Sequence, residues 1–330
     1  GTAAFALTLA EAERLFGEGV CDPAVGPVCR PTYAAQRWLD AANTALRAGT
    51  AEGTTVLGQA AFAGMVDLGS FLKTDEGDLD FAGDPTLRRE LAYWFATQLG
   101  ESTIRETTVR LSGRDAAAFL FNAFGDPATR DVWRVGAIGF DEAGDVSAAL
   151  SLTPTVIEDR DGSESRILVH DPQTGEGAII LNLAEGTWSY GDVKGSVANG
   201  NAFWLTPTRP RAELQPCPFC EGGASEQLLI SGPARVQVRD SLGRVTAAQN
   251  GRITNQVPKS AWAPVFVGNA APPTTVLLPA GSGASVLASG HGDGATSIAW
   301  FGQQTAAGVS LDVGDGQTDE LAFDAETKSL

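Results

Sequence analysis

The hydrophobic periodicity of the chain changes near Val132, and this change constrains the fold more than any other feature. Before it, apolar residues recur at helical spacing. After it, short apolar runs alternate with polar residues and are separated by Gly, Asp, Asn and Pro, as in antiparallel strands. The sequence therefore predicts a multidomain α+β protein. It has a helical domain (1–125), an antiparallel β-meander (126–206), a proline-rich linker containing a Cys-x-x-Cys motif (207–225) and a β-sandwich (226–330).

Local signals place the helices of the first domain. Thr8–Glu11 is a capping box, and Asp84-Pro85 joins an N-cap residue to a proline at the first helical position. Helices are also predicted from Thr32 to Ala48 and from Arg114 to Phe124. The segment from Thr54 to Leu72 is apolar almost all round, which predicts a helix buried at the centre of its domain. Its small residues are expected to let neighbouring elements approach closely: Gly58, Ala61, Gly64 and Gly69.

Short apolar runs mark the predicted strands. In the meander they are Trp133–Phe140, Val146–Leu152, Ser165–His170, Gly177–Leu183 and Thr187–Tyr190. In the C-terminal region they are Leu228–Ile230, Val236–Val238, Val265–Val267, Val276–Leu278, Val286–Ala288, Ile298–Phe301 and Leu321–Phe323. The turn residues between the last seven runs are typical of a β-sandwich.

Parts of this C-terminal region resemble the accessory β-sandwich domains of secreted bacterial surface proteins. The similarity lies in Ser231–Arg244 followed by Ile253–Pro258, and in Leu278–Gly281 leading to Gly290–Gly294. It covers about a third of the chain, and no family is identified for residues 1–225. The resemblance implies a β-sandwich fold and an extracellular or cell-surface location, and it implies no activity.

The net charge of the chain argues against two classes of binding partner. A net charge of −17 argues against nucleic acid and against anionic membrane surfaces, because both would repel it. No apolar run is long enough for a transmembrane segment. The chain begins Gly-Thr-Ala-Ala-Phe, without an initiator Met or a leader sequence. We expect that a signal peptide has been removed, and the alternative is that the sequence is a trimmed fragment.

The four cysteines form two local pairs, Cys21 with Cys29 and Cys217 with Cys220. In an oxidising compartment, two short-range disulfides are the natural assignment. One alternative is a zinc site made of all four thiolates, although Cys21 and Cys29 lack the usual ligand spacing. Another is a redox dithiol at Cys217 and Cys220, which lack the βαβ surroundings of such motifs.

The sequence contains none of the common catalytic motifs and has only two histidines. The alternative to a non-enzymatic protein is a papain-like cysteine peptidase in which Cys29 is the nucleophile, His170 the base and Asp171 the group that orients it. Cys29 precedes a predicted helix, whose N-terminus would stabilise a thiolate. The nearby Cys21 favours a disulfide instead.

Acidic turns give the sequence its candidate metal sites. Asp159, Asp161 and Glu164 place three carboxylates in a glycine-containing turn, which suits calcium. Asp75, Asp78 and Asp80 form a second cluster, but neither cluster fits the twelve-residue calcium loop of an EF-hand. Ordinary acidic turns are the alternative. No other cofactor is expected.

These features together predict an extracellular or cell-surface structural protein that assembles with itself through strand edges, or adheres, and is not an enzyme. The alternatives are a secreted hydrolase and a calcium- or carbohydrate-binding module. For the last of these, Trp188 and Tyr190 at a hairpin end form a candidate sugar-stacking surface, with core packing as the competing role.

Overall fold

The structure is a computed structural model that describes residues 5–25, 28–107, 110–111, 113–125, 132–160, 162–196, 203–268 and 270–322. Helices come first along the chain and antiparallel sheets follow, so the predicted α+β class is confirmed. The helices are α1 (Leu9–Phe16), α2 (Tyr33–Ala48), α3 (Ala51–Phe62), α4 (Pro85–Ala96), α5 (Glu101–Thr107) and α6 (Gly113–Gly125). No helix of the described part is both long and apolar enough to cross a bilayer.

The predicted helix starts are confirmed by their hydrogen bonds. Thr8 and Glu11 form a capping box at α1. The Asp84 carboxylate accepts the backbone N–H groups of Thr86 and Leu87, at 2.8 and 3.1 Å, at the start of α4. The predicted helix over 54–72 is wrong in its end, because α3 stops at Phe62. Two residues later Gly64 has a φ of +73°, a left-handed conformation that ends the helix and turns the chain.

Eight strands form the first sheet, in the order β1-β8-β2-β3-β4-β5-β6-β7. Their bounds are β1 (Arg110–Leu111), β2 (Trp133–Phe140), β3 (Val146–Arg160), β4 (Glu164–Asp171), β5 (Gly175–Asn182), β6 (Thr187–Tyr190), β7 (Val193–Ser196) and β8 (Phe203–Pro207). Strands β2 to β7 are consecutive neighbours joined antiparallel, which is the predicted meander. Strand β8, which was not predicted from the sequence, returns to pair with β2.

Two five-stranded antiparallel sheets follow. One has the order β13-β14-β9-β16-β17 and the other the order β12-β11-β10-β15-β18. Their bounds are β9 (Ser225–Ser231), β10 (Arg235–Arg239), β11 (Val245–Gln249), β12 (Arg252–Asn255), β13 (Ala261–Pro264), β14 (Thr274–Pro279), β15 (Ser285–Ser289), β16 (Thr296–Gly302), β17 (Thr305–Leu311) and β18 (Thr318–Ala322). Alternate residues of both sheets, such as Val238, Val286 and Ile298, share one buried cluster, so the two sheets form a β-sandwich.

The helices pack on the outer face of the first of these sheets. Leu229 and Phe301 point away from the sandwich interior and join the core of the helical region. The indole N–H of Trp38 on α2 donates to the side-chain oxygen of Gln227 on β9 at 3.1 Å. Phe219, from the segment predicted as a linker, is also buried in this core, against Phe16 and Trp38. Helices, linker segment and sandwich therefore share one hydrophobic cluster.

The run Val265–Val267 was predicted as a strand, and this prediction is wrong. Val265 and Val267 are buried in the helical core, while Phe266 between them is buried in the sandwich core. The backbone of Phe266 bonds to the helices, since its N–H donates to Gln98 Oε1 at 2.7 Å and its carbonyl accepts from Glu52 N at 3.2 Å. The three side chains of this run are thus buried because they point alternately into two different cores, and not because the run belongs to a sheet.

Candidate functional site

The proposed catalytic residues Cys29, His170 and Asp171 are not brought together. Cys29 is bonded to Cys21, and a sulfur in a disulfide is not a nucleophile. His170 is half exposed on β4 and lies 3.5 Å from the Glu176 carboxylate. Asp171 points to the opposite face of the strand and accepts from the Tyr190 hydroxyl and the Gln173 backbone at 2.9 and 2.8 Å. Asp171 therefore fixes the β4–β5 turn and does not orient His170.

The four cysteines form the two predicted disulfides, Cys21–Cys29 and Cys217–Cys220. The described residues contain no free cysteine, so the alternative of four zinc-bound thiolates does not apply to this state. Cys217 and Cys220 pack against the helical core beside the buried Phe219. Two disulfides indicate a non-reducing environment.

The predicted calcium ligands lie largely outside the described residues. Asp161 is not described, and for Asp159 only the backbone is. Glu164 is exposed at the start of β4. The calcium prediction at these three residues stays a prediction.

One cluster of possible metal ligands joins the meander to the sandwich. Asp141 and Asp145 in the β2–β3 turn lie close to His291, which follows β15. His291 Nε2 is 2.9 Å from Asp145 Oδ2, and Arg235 makes two bonds to the same carboxylate, at 2.6 and 2.5 Å. The Arg235 guanidinium is already paired with Asp145 and would repel a metal cation. We therefore interpret these contacts as polar links between the meander and the sandwich.

The most deeply buried charges of the described residues connect three parts of the chain. Glu52 on α3, Arg134 on β2 and Arg211 in the turn after β8 all have fully buried side chains. Glu52 Oε1 lies 2.6 Å from Arg211 Nη1, and Glu52 Oε2 lies 3.4 Å from Arg134 Nε. The Ser151 hydroxyl on β3 donates to Glu52 Oε2 at 2.6 Å. We call Glu52, Arg134 and Arg211 the buried ion cluster.

The buried ion cluster holds two cations and one anion. Burial by itself raises the pKa of Glu52, but the charges of Arg134 and Arg211, together with the hydrogen bonds from Ser151 and Arg211, outweigh this effect. The pKa of Glu52 is therefore lower than its ordinary value, which favours the ionised carboxylate. Burial lowers the pKa of Arg134 to about 10, against partial compensation from Glu52. The Arg134 guanidinium also lies 3.9 Å from the centre of the Phe266 ring. The cluster therefore holds helices, meander and sandwich in register and lies away from any surface on which a substrate would bind.

Strand edges are the remaining candidate, and on one side of the sandwich the described residues leave the outer edge of β17 without a backbone partner. On the closed side, β12 and β13 are tied by the bond from Trp262 N to Asn255 Oδ1 at 3.0 Å. Helix α5 packs against β13, and its Arg105 donates to the carbonyl of Lys259 at 3.1 Å. On the open side, β16 is the one strand of the described part of the chain that pairs with β17. Among the described residues, no backbone hydrogen bond joins the outer edge of β17 to another segment.

Strand β17 differs from the other edge strands in composition. Its sequence, Thr-Ala-Ala-Gly-Val-Ser-Leu, contains neither a charge nor a proline. The sequences of the other edge strands of the described chain each contain a charged residue or a proline: Arg110 in β1, Lys194 in β7, Arg252 in β12, Pro264 in β13, and Asp319 and Glu320 in β18. Strand β17 was not predicted from the sequence, because the turn before it is Gln303-Gln304. Gln304 has a φ of +53°, a position where Gly or Asn would have signalled a hairpin.

Comparison of the chain with protein-family models, with curated proteins and with solved structures found no match.

Proposed function

We propose that this protein is a non-enzymatic extracellular or cell-surface structural protein that assembles with copies of itself through the edge of β17. The observation that carries this proposal is the edge of β17, whose seven residues contain no charge or proline and have no backbone partner on the outer side among the described residues. An edge strand without a backbone partner offers a row of backbone N–H and C=O groups to a strand of another chain. The two disulfides support the proposed location, since they persist outside reducing compartments.

The side chains of β17 are compatible with pairing at its edge. Ala306 packs on the helical core, and Ala307, Val309 and Leu311 pack on the sandwich core. Because these contacts hold the strand in place, a second strand would meet an ordered template and less conformational entropy would be lost. Ser310 is exposed and lies opposite Ser297 of β16 in the register.

A lysine at position 310 is expected to abolish or strongly weaken assembly. Charged edge residues, lysine above all, oppose the addition of a strand from another chain. The measurement is the mass in solution by light scattering over a range of protein concentrations. Ser297→Lys is the matched control, because it adds the same charge on the neighbouring inner strand.

The wild-type protein is expected to form dimers or larger assemblies that Ser310→Lys dissociates and Ser297→Lys retains. A wild-type protein that stays monomeric at all concentrations contradicts the proposal. Equal loss of assembly in both variants contradicts the assignment to the β17 edge, because it would show that added charge on the sheet face is responsible.

Assembly is also expected to strengthen as the salt concentration rises. Each copy carries a net charge of −17, so two copies repel one another at long range. Salt at about 0.15 M screens such repulsion beyond roughly 8 Å, whereas backbone bonds at a paired edge are barely affected. Sedimentation velocity at low and high sodium chloride tests this, and dissociation by salt would show that ion pairs hold the assembly instead.

A further inference from the structure

A cleft of the meander lies over β5, β6 and β7. Its volume is about 580 Å³, within the range of about 300–1,000 Å³ usual for small-molecule sites. Its floor is one face of these three strands. One wall is formed by Phe140 and Asp141 at the end of β2, and by Gly251 from the β11–β12 turn. Gly251 N donates to Gly144 O at 2.9 Å, which fixes that wall in place.

The strand register sets the chemistry of the floor. Asn182, Thr187 and Ser196 form one cross-strand row, and Ile180, Ser189 and Lys194 form the next. Because alternate residues of a strand share a face, these six side chains line the same surface. Trp188, on the opposite face, is only 3% exposed and belongs to the meander core, so it is not a stacking platform.

The polar side chains of this floor are available to form hydrogen bonds with a ligand. The side chains of Thr187, Ser189, Lys194 and Ser196 make no hydrogen bond or ion pair with any described residue. Asn182 Oδ1 accepts two backbone N–H groups, at 3.2 and 3.1 Å, which orients the side chain and leaves its amide nitrogen to donate elsewhere. Three hydroxyls, one amide and one ammonium therefore face the cleft together with the apolar Phe140 and Ile180.

We infer that this cleft binds a saccharide that bears a carboxylate. A sugar ring has apolar C–H faces and a rim of hydroxyls, which match the apolar wall and the hydroxyl and amide groups of the floor. Lys194 is the cation among the lining residues and would pair with the ligand's carboxylate in a charge-assisted bond. The Asp141 carboxylate at the rim accepts the Asp145 N–H at 2.9 Å. This site lies on a different sheet from β17 and does not depend on assembly.

Titration of the full chain with trigalacturonate and with its fully methyl-esterified form tests the inference by calorimetry. The two probes share their rings and hydroxyls and differ in charge. Lys194→Gln is expected to weaken trigalacturonate binding about tenfold, the usual effect of losing one hydrogen bond to a charged group. Thr187→Val, which removes one hydroxyl at nearly constant shape, is expected to weaken both probes. Lys73→Gln is the control, since it removes the same charge from an exposed site elsewhere.

Preference for the charged probe, lost in Lys194→Gln and kept in Lys73→Gln, supports the inference. Equal loss in both lysine variants shows that net charge alone is acting and overturns the site. Tighter binding of the esterified probe overturns the role of Lys194, and absence of binding to either probe at millimolar concentration overturns the inference. Repeating the titration with Ser310→Lys separates the two proposals, because loss of assembly should leave the cleft unchanged.

Discussion

Replacing Glu52 with glutamine is expected to lower the free energy of unfolding by about 3–5 kcal/mol, as is usual when one partner of a buried ion pair is removed. The side chains of Arg134 and Arg211 are fully buried beside Glu52 and lie 3.4 and 2.6 Å from its carboxylate. Without that carboxylate, two guanidinium groups remain in an interior that water does not reach. Unfolding in urea, followed by tryptophan fluorescence, measures the loss.

Two controls accompany the Glu52 variant. Glu158→Gln removes the carboxylate of a more exposed pair, 3.3 Å from Arg166, and is expected to cost at most about 1 kcal/mol. Replacing all three members of the buried ion cluster with Leu or Met is expected to restore much of the stability, because no uncompensated charge then remains. A Glu52→Gln variant as stable as Glu158→Gln would show that the cluster contributes little.

The buried ion cluster also makes the stability of the folded protein depend on pH, and the direction of this dependence follows from the pKa of Glu52. The pKa of Glu52 is lower in the folded protein than the ordinary value of 4.5. Its contribution to stability is therefore fully present above about pH 4.5 and is lost as the pH falls through the folded pKa. Part of the acid destabilisation of the wild type should accordingly be absent from Glu52→Gln.

The sequence predicted those parts of the fold that depend on neighbouring residues. The Thr8–Glu11 capping box and the Asp84-Pro85 start each act within one helical turn, so a short stretch of sequence is sufficient to recognise them. The hairpin turns of the meander are equally local. The same holds for the two disulfides, whose partners are eight and three residues apart.

Features that depend on distant partners were not predictable in this way. Glu52, Arg134 and Arg211 are ordinary charged residues in the sequence, and only the fold brings them together. The open edge of β17 depends on which strand ends a sheet, and strand order is not visible in hydrophobic periodicity. Val265–Val267 has the composition of a strand but bonds to helices, because two cores meet at that point.

The small residues expected to allow close packing in the predicted helix over 54–72 are not the ones at its close contacts, and this leads to a further prediction. Gly58 and Gly64 were expected to allow close packing, but a Cβ at either would meet nothing within 4 Å. The close approach is at Gly53. There a Cβ would lie 2.6 Å from the carbonyl oxygen of Leu91 and 3.0 Å from Phe95 Cβ, both on α4. An almost uniformly apolar helix does not reveal from its sequence which face meets its neighbour.

Gly53→Ala and Gly58→Ala are therefore expected to change stability in opposite directions. Alanine in a helix is favoured over glycine by up to about 1 kcal/mol, and at the exposed Gly58 nothing opposes this gain. At Gly53 the new methyl group collides with backbone that cannot rotate away, so α3 and α4 must separate. The cost of such overpacking is about 1–3 kcal/mol. Urea unfolding of both variants measures the effect of the same Gly-to-Ala substitution at two positions of one helix. Stabilisation by Gly53→Ala would mean that the contact between α3 and α4 is looser than the structure shows.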